Sequence, residues 1–304
     1  MDGLLSEWRQ ETPLKHHYIP QFYLRPWEGN DNRLQEFKRG YQNQVTTKRV
    51  FTKQTGYAPD LYTLPGATEE TKQNVEKAFM ALLDNEAVKA RDMMLSGQIP
   101  ADPKTRESWT RFVLSMVFRN PEEMAKFKES FCNELRKPDA RIQAEYESLK
   151  APGDPETFEE WLMTNRPARV ERSAILVMTN LVQRNNVNYL LRTMHWRVID
   201  ISVVSRRLMT SDRPIMMSNG MVQYAGHFAL PISPTKLFLA CTTVQFADQF
   251  CAMPTGKMVR EVNKLVVGQG RKFIYAQDAA QLSDVRQQMG RLPYPSFVRP
   301  ERSD

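Results

Sequence analysis

MHWRVIDISVV, residues 194–204, marks the point where the character of the sequence changes. Apolar and polar residues alternate through this stretch and several are β-branched, which predicts a β-strand. Short apolar runs separated by proline or glycine follow in RRLMTSDRPIMM, HFALPIS and KLFLACTTV. A helix is predicted in GKMVREVNKLVVGQG, a further strand in RKFIYAQD and a last helix in DAAQLSDVRQQMG. Residues 193–304 are therefore predicted to be rich in strands.

The region before this stretch has the spacing of helices. Apolar residues recur with a 3.6-residue period through much of 67–192, most clearly in TKQNVEKAFMALLDNEAVKARDMML. Residues 1–66 are irregular, with short alternating segments and turn residues between them. Strands, then helices, then strands predict an α+β fold. We expect the N- and C-terminal strands to share one sheet of a single domain, with a central run of about five helices inserted between them.

Bulk composition is that of a globular protein. The chain has 304 residues, of which 41% are hydrophobic and 25% are charged. No apolar run approaches the roughly 18 residues that span a bilayer, and the acidic start MDGLLSEWRQE does not resemble a signal peptide. These features predict a cytoplasmic protein without membrane insertion. The three cysteines lack metal-site spacing, and Cys241 is predicted to be a buried apolar residue.

Positive charge is concentrated in the C-terminal region. From Thr193 onward, fourteen Lys or Arg face eight Asp or Glu, which accounts for +6 of the net +7. A basic surface of this kind suits a polyanion such as RNA or DNA. The alternative is that the charge serves solubility alone. The sequence leaves the oligomeric state open.

Three polar residues stand where their local pattern calls for apolar ones. Glu86 projects within about 20° of Val75 on the predicted helix over residues 71–95, and Asn263 lies on the apolar side of the helix GKMVREVNKLVVGQG. Asp212 follows a strand-like run in LMTSDRPIMM, where it is either an Asx-turn residue or a ligand or acid/base at a strand end. Because a buried polar group needs partners, these residues are site candidates. Arg119, in VFRNP, is expected to pair with Glu86 in the core.

Two of the four histidines stand side by side in KHHYIPQFYL, residues 15–24. The residue before Pro20 avoids the α conformation, so this segment is expected to be extended. An extended strand can carry His17 to the same sheet end as Asp212. The alternative for His17 is a structural, hydrogen-bonded histidine.

These motifs together resemble domain of unknown function 4238. Members open with a basic residue and His-Tyr-Ile/Val-Pro, as in KHHYIPQFYLR, and later show a Thr-Ser-Asp-x-Pro string, as in MTSDRPI. A Pro-Leu/Ile-Ser-Pro string and an isolated Asn on a helix follow, matched here by LPISPTKLFLA and EVNK. The resemblance runs from about Lys15 to Ala276. The family has no settled activity, so the resemblance implies the location of a site and not a reaction.

The resemblance carries over residue by residue. His17 matches the motif histidine, Asp212 the motif aspartate and Asn263 the late asparagine. Tyr18 and Pro20 follow the histidine, and Pro231 and Pro234 are the paired prolines. His16 is additional to the motif, and Arg213 stands where an asparagine is more usual.

The leading hypothesis is a nucleic-acid-acting hydrolase, a nuclease. His17 would act as base or acid, Arg119 would stabilise phosphorane charge, and Asn263 would complete the site. Asp212 and Glu86 would orient His17 or hold a divalent ion, and carboxylates with one His or Asn suit Mg²⁺ or Mn²⁺ better than zinc. The residues expected to contact substrate are Lys15, His16, Tyr18, Lys48, Arg49, Arg206, Arg207, Arg271 and Lys272.

Two alternatives remain open at the level of sequence. One is a non-catalytic nucleic-acid-binding or partner-binding regulator or sensor, in which the polar core residues only specify the fold. The other is a hydrolase of small phosphoesters. The chain contains no P-loop, GxGxxG, HExxH or GxSxG motif, so nucleotide-driven and nicotinamide-dependent chemistry are not predicted.

Overall fold

The N-terminal region folds into four short strands. The structure, a computed structural model, describes residues 15–64, 66, 75–135, 137, 139–183, 185–217, 222–294 and 296. The strands are β1 (Lys15–His17), β2 (Leu34–Arg39), β3 (Val45–Val50) and β4 (Tyr57–Pro59), with the short helix α1 (Gln21–Leu24) between the first two. β1 pairs with β4, and β2 pairs with β3, both antiparallel.

A run of helices follows. A π-helical turn over Val75–Met80 leads into the first of them. The helices are α2 (Ala81–Leu95), α3 (Pro103–Phe118), α4 (Pro121–Leu135), α5 (Ala140–Leu149), α6 (Phe158–Asn165), α7 (Pro167–Gln183) and α8 (Asn185–Thr193). Seven helices thus lie in the described part of this region, where the sequence predicted about five. No helix among the described residues is long and apolar enough to cross a bilayer.

The described part of the C-terminal region combines six strands with three helices. Its strands are β5 (His195–Asp200), β6 (Thr210–Ser211), β7 (Met216–Met217), β8 (His227–Ser233), β9 (Lys236–Cys241) and β10 (Phe273–Ala276). Its helices are α9 (Val244–Cys251), α10 (Thr255–Gln269) and α11 (Leu282–Gln288). The predicted end of α10 at a glycine is confirmed, since Gly270 is its C-cap.

The N- and C-terminal strands share a sheet, which confirms the predicted α+β arrangement. This shared sheet has the order β3-β2-β10-β6, and β10 pairs antiparallel with both β2 and β6. Tyr275 of β10 lies between Glu36 of β2 and Thr210 of β6. Because side chains alternate across a strand, these three residues project from the same face. A polar row therefore crosses the middle of the sheet.

The second sheet is covered on both faces. Its order is β5-β9-β8-β7. On β9, Phe238 and Ala240 belong to a core cluster shared with α2 and α3, while Leu237 and Leu239 belong to a cluster shared with α9 and α10. Cys241 is buried in the second cluster, as predicted, and burial raises the pKa of its thiol to about 12. Helix α10 also reaches the shared sheet, where Val267 packs in a cluster that includes β2 and β10 residues.

The helix predicted over residues 71–95 is only partly regular, and its apolar stripe is displaced. Residues 71–74 lie outside the described part, and the π turn inserts one extra residue before α2 begins. One residue corresponds to about 100° around a helix. The buried residues of α2 are consequently Leu83, Ala87, Ala90 and Met94, whereas Leu82 is 55% exposed. Of the apolar positions predicted to face the core on α2, Leu83 and Ala90 are therefore buried, whereas Leu82 is not.

Candidate functional site

Separate motifs of the chain meet at one polar junction. We call this the motif junction; it comprises residues 15–18, 119–123 and 211–214. Asn120 connects the second and third segments: its Nδ2 donates to the Asp212 carbonyl at 3.4 Å, and its Oδ1 accepts from Arg213 Nη2 at 3.3 Å. The same Oδ1 accepts from the backbone N–H of Glu122 at 3.0 Å, at the start of α4. FRNP and SDRP are therefore hydrogen-bonded to each other.

Both oxygens of the Asp212 carboxylate accept hydrogen bonds from the backbone. Its Oδ1 accepts from the N–H of Arg271 at 2.9 Å and its Oδ2 from the N–H of Lys272 at 2.8 Å, just after α10. The residue is 4% exposed. Burial raises the pKa of Asp212, and the two N–H donors partly offset that rise. The predicted Asx-turn role is wrong in detail, because the local turn bond comes from Ser211, whose Oγ accepts from the Arg213 N–H at 3.1 Å.

Tyr18 joins the first segment to the other two. Burial raises the pKa of its hydroxyl, and the negative charges of Asp212, Glu122 and Glu36 raise it further. The hydroxyl is therefore protonated at neutral pH and offers a hydrogen-bond donor among carboxylates. The neighbouring polar row is internally bonded: Thr55 donates to Glu36, and Thr55 Oγ1 lies 2.8 Å from the Tyr275 hydroxyl.

Arg213, the departure from the family pattern, is buried in this junction. Its guanidinium forms ion pairs with Glu122 and, at 3.4 Å, with Glu123 in the first turn of α4. It also lies 5.0 Å from the ring centre of Tyr294. Acidic side chains suit a helix N-terminus, and the arginine neutralises them there. Arg213 therefore helps to hold α4 against the 211–214 turn.

His16 is a buried member of the same junction. Its Nδ1 accepts from the N–H of Tyr62 at 2.9 Å, and its ring stacks on the Tyr62 ring with centres 5.6 Å apart. Burial lowers the pKa of His16, and the negative charge of Asp60 raises it by a smaller amount. An accepting Nδ1 places the proton of the neutral ring on Nε2. The Tyr62 hydroxyl in turn donates to the Arg119 carbonyl at 3.3 Å, so His16 is linked to the end of α3.

His17 points to different neighbours. Its ring lies edge-on to Tyr57 with centres 5.7 Å apart. Burial lowers its pKa, a backbone hydrogen bond with Lys53 raises it, and Lys15 and His16 lower it. The Nε2 atom is buried without a hydrogen-bond partner among the described residues. The negative charge of Asp212 raises the pKa of Tyr18, but Asp212 is not among the groups that shift the pKa of His17.

The expected pairing of Arg119 with Glu86 is wrong. Glu86 is exposed, because the π turn rotates it out of the apolar stripe. The fully buried guanidinium of Arg119 lies 2.6 Å from Asp84 Oδ1, two residues earlier on α2. Burial raises the pKa of Asp84 and the arginine counteracts it. An ion pair between α2 and α3 therefore exists, but with a different carboxylate.

A sequence model of the family "Protein of unknown function (DUF4238)" matches residues 15–280. The chain belongs to this family. No curated protein matches the DUF4238 chain, and no solved structure does.

Asn263, the late asparagine of this DUF4238 chain, fixes the segment that leads into β6. Its Oδ1 accepts from the Met209 N–H, and its Nδ2 donates to the Arg207 carbonyl and to Gln281 Oε1, all at 2.9 Å. The prediction that this buried amide needs partners is confirmed. Both amide protons and the carbonyl are occupied, which leaves Asn263 a positioning role in the described structure.

Most of the predicted substrate-contacting cations in the DUF4238 chain are engaged internally. Arg206 pairs with Asp284, Arg49 pairs with Asp31, and Arg271 donates to the carbonyls of Gly290 and Leu292. Arg207 donates to the Val204 carbonyl, and Lys48 lies 3.8 Å from Glu36. Lys15 and Lys272 are different, because both are exposed and each lies over an aromatic ring, at 4.8 Å and 5.4 Å from its centre.

Three more cations of this kind were not predicted from the sequence. Arg33 and Lys53 flank the Phe51 ring at 4.7 and 5.9 Å, and Lys38 lies 5.9 Å from the Phe273 ring that Lys272 also approaches. We call the set formed by Lys15, Arg33, Lys38, Lys53 and Lys272 the stacked cations. KF in RKFIYAQD and FTK at residues 51–53 place a lysine within two residues of a ring, which is the only signal that pattern analysis offered.

The predicted metal ligands of the DUF4238 chain do not form a ligand set. Glu86 is exposed on α2, whereas Asp212 is buried with both oxygens bonded to backbone N–H groups. Among the described residues no group of three or more His, Cys, Asp or Glu side chains is arranged to hold a metal ion. The predicted Mg²⁺ or Mn²⁺ site therefore has no fitting donor set in the described part of the chain.

Proposed function

We propose that this protein binds nucleic acid through the stacked cations, which lie in or close to its N-terminal strands and β10. The supporting observation is that all five are exposed and lie over aromatic rings. None of the five forms an ion pair with an acidic residue of the described part of the chain. Their charges are thus available to a polyanion.

The ring contacts favour this use of the cations. A side chain that rests on a ring has already lost much of its rotamer freedom, so less entropy is lost when it binds a phosphate. Nucleic acid also offers bases, which stack on aromatic rings and on arginine planes. The half-buried rings of Tyr57 and Phe51 are accessible to bases, whereas Phe273 is buried and only supports Lys38 and Lys272.

The stacked cations form two groups, and the members of each group lie on connected elements. Lys15 and Tyr57 belong to paired strands β1 and β4, and Lys53 contacts His17 of β1 through its backbone. Lys38 and Lys272 meet at Phe273, where β2 pairs with β10. Glu36 and Tyr275 of the polar row are buried and belong to the fold. We infer that the two groups are separate contact points for one ligand strand.

Four of the residues that the nuclease hypothesis requires are unsuited to catalysis. Binding is therefore the better supported function. Asp212 and Asn263 use their polar atoms within the fold, Arg119 is fully buried, and Glu86 stands apart from them. A general base or charge-stabilising group must reach the reacting atoms. These four residues are therefore assigned to structure or surface in this proposal.

One observation favours a nuclease as the second candidate. Burial lowers the pKa of His17, its Nε2 has no described hydrogen-bond partner, and the ring is hydrogen-bonded to the backbone of Lys53 and affected by the charge of Lys15. A neutral imidazole beside phosphate-binding cations is suited to take a proton from an attacking hydroxyl group. In this candidate His17 is the catalytic residue.

The binding proposal is tested by fluorescence anisotropy with labelled single- and double-stranded RNA and DNA over a range of salt. The test variant replaces three stacked cations, Lys15→Gln, Lys38→Gln and Lys272→Gln. The matched control replaces three exposed lysines on α2, α3 and α10, Lys89→Gln, Lys104→Gln and Lys257→Gln. We expect the test variant to reduce the slope of log K against log salt by about 0.7 per lost single-strand contact. The control should keep the wild-type slope.

The outcomes separate the candidates. Equal losses in both variants would show a net-charge effect and contradict the assigned surface, as would the absence of salt-sensitive binding by wild type. The same mixtures, run on denaturing gels with Mg²⁺, Mn²⁺ or EDTA, test cleavage. Cleavage that disappears in His17→Ala while anisotropy is unchanged supports the nuclease. Binding without cleavage under every condition rejects it.

A further inference from the structure

A second candidate site lies far from the motifs in sequence, in a helical hairpin. We call residues 139–165, with α5, α6 and the turn between them, the α5–α6 hairpin. It forms a half-open cavity of about 330 Å³. That volume is within the range of small-molecule sites, which is about 300–1,000 Å³. The family motifs do not include this region, and the nucleic-acid proposal does not use it.

Three aromatic rings form one wall of the cavity. Tyr146 of α5 and Phe158 and Trp161 of α6 have ring centres 5.9 to 6.5 Å apart. The Tyr146 hydroxyl donates to the Pro155 carbonyl at 2.8 Å, which fixes that ring against the turn. No cationic side chain of the described residues lies over any of the three rings. The half-buried rings of Phe158 and Trp161 therefore offer a cation a negative face, with Tyr146 buried behind them.

The cavity is set in an acidic part of a basic protein. Residues 139–165 contain seven Asp or Glu and two Lys or Arg, whereas the whole chain carries a net +7. Glu145 and Asp154 line the cavity, together with Lys150, whose charge is paired with Glu147 at 2.8 Å. Burial raises the pKa of Tyr146, and the carboxylates of Asp154, Glu147 and Glu160 outnumber the single lysine that lowers it. The local potential is negative.

Rings and carboxylates together select one class of ligand. An uncharged apolar ligand gains nothing from Glu145 and Asp154, and a strongly hydrated metal ion gains little from a wall of rings. A weakly hydrated organic cation is attracted by both. We propose that the α5–α6 hairpin binds a small molecule carrying an alkylated ammonium group, held against the rings of Tyr146, Phe158 and Trp161 and facing the carboxylates of Glu145 and Asp154.

Isothermal titration of the full-length protein with choline tests this proposal, with 3,3-dimethylbutan-1-ol as the uncharged ligand of the same shape. We expect choline to bind at least about tenfold more tightly than the alcohol. Trp161→Leu should weaken choline binding by a similar factor, and Glu145→Gln by about threefold. Glu129→Gln, which removes an exposed carboxylate on α4 outside the cavity, should leave binding unchanged.

The comparison of the two ligands is made on the wild-type protein, so it does not depend on a variant that folds. Equal binding of choline and the alcohol would show an apolar cavity only and overturn the proposal. So would the absence of heat with choline up to tens of millimolar. A trimethyllysine peptide that binds when choline does not would identify a protein partner instead, and would also overturn the small-molecule assignment.

Discussion

The shared sheet and the α5–α6 hairpin use aromatic rings in opposite electrostatic settings. On the shared sheet and the neighbouring β1 and β4 strands, Phe51, Phe273 and Tyr57 are approached by the chain's own lysines and arginine, which have no acidic partner in the described part of the chain. In the hairpin, rings stand beside carboxylates and have no described cation over them. A ring with its own cation presents a positive charge to a ligand, whereas an uncovered ring accepts one.

The motif junction and the α5–α6 hairpin also differ in where their charges lie. At the motif junction, Asp212, Arg213 and Arg119 are buried and held by hydrogen bonds or ion pairs. In the hairpin, Glu147 and Lys150 pair at the surface. Buried charges that lose a partner destabilise a fold strongly, and exposed ones hardly at all. Substitutions at the junction should therefore change stability, and those in the hairpin should change binding.

The largest expected effect distinguishes two aspartates with similar bonds. Asp212 and Asp154 both accept backbone N–H groups, from Arg271 and Lys272 in the first case and from Ala151 at 2.8 Å in the second. Asp212→Ala leaves two partly buried N–H donors without an acceptor, so the free energy of unfolding should fall by about 3 kcal/mol. Asp154→Ala opens an exposed turn to water and should cost less than about 1 kcal/mol. Urea denaturation followed by circular dichroism measures both.

Asp212→Asn serves as the intermediate case, because it keeps one acceptor and turns an amide group toward the other N–H. Its loss of stability should lie between those of wild type and Asp212→Ala. Equal, small losses for Asp212→Ala and Asp154→Ala would contradict the structural assignment of Asp212. Asp212 would then again be a candidate for a catalytic role.

The second prediction concerns the ion pair between Arg119 and Asp84. Arg119→Met leaves the Asp84 carboxylate without its counter-ion, but that side chain keeps 22% of its surface exposed. We expect a loss of about 2–3 kcal/mol, below the usual cost for a fully buried partner. Adding Asp84→Leu should recover most of it, and a double-mutant cycle measures the coupling. The same cycle on Lys150 and Glu147 should show no measurable coupling.

Coupling of Arg119 to Glu86 instead of Asp84 would restore the pairing expected from sequence and invalidate the displaced register of α2. The Glu86→Gln, Arg119→Met cycle provides that control. Zero interaction between these two sites is the expected result, since Glu86 faces solvent.

Sequence reasoning identified the frame of the fold because its signals are local. Alternation and proline or glycine breaks located the C-terminal strands, and the order of elements was enough to predict a shared sheet. The need of Asp212 and Asn263 for partners was also readable, since a polar residue in an apolar run must be satisfied. The identity of these partners could not be predicted, because the donors to Asp212 lie 59 and 60 residues later in the chain.

Three failures have the same physical origin. The position of Glu86 depended on an ideal helical period, and one π turn changed every later angle. The hairpin cavity depends on the rings of two helices meeting across a turn, and each helix alone is an ordinary amphipathic segment. Tyr18 and Glu36 were likewise invisible as a pair, because strand pairing and not sequence distance brings β2 to the motif junction. Local patterns predict elements, whereas sites are made between elements.

A third, smaller effect is a pH dependence at His16. Burial lowers its pKa in the folded protein, so below its usual value of about 6.5 the unfolded chain takes up a proton that the folded chain does not. Stability should therefore fall as pH decreases through this range, with a slope of at most about 1.4 kcal/mol per pH unit from this group. His16→Asn keeps an acceptor for the Tyr62 N–H and cannot titrate. Its midpoint in urea should vary less between pH 7.5 and 5.5 than that of wild type.

His17 contributes in the same direction, and Asp84 and Asp212, whose pKa values are raised, act oppositely at lower pH. These contributions are common to wild type and His16→Asn, so the difference between the two isolates His16. Identical pH dependence in both proteins would mean that His16 titrates normally and is not shielded at the junction.

The smallest predicted effect is at Glu86, and it is informative because the sequence predicted a large one. A core-facing carboxylate replaced by glutamine or alanine would change stability by several kcal/mol. On the face exposed by the π turn, Glu86→Ala should change the free energy of unfolding by no more than about 0.5 kcal/mol. Leu83→Ala, three residues earlier on the buried face, should cost about 2–4 kcal/mol. If the two costs were reversed, α2 would follow the uninterrupted helical period, and Glu86 would stand beside Val75 in the core.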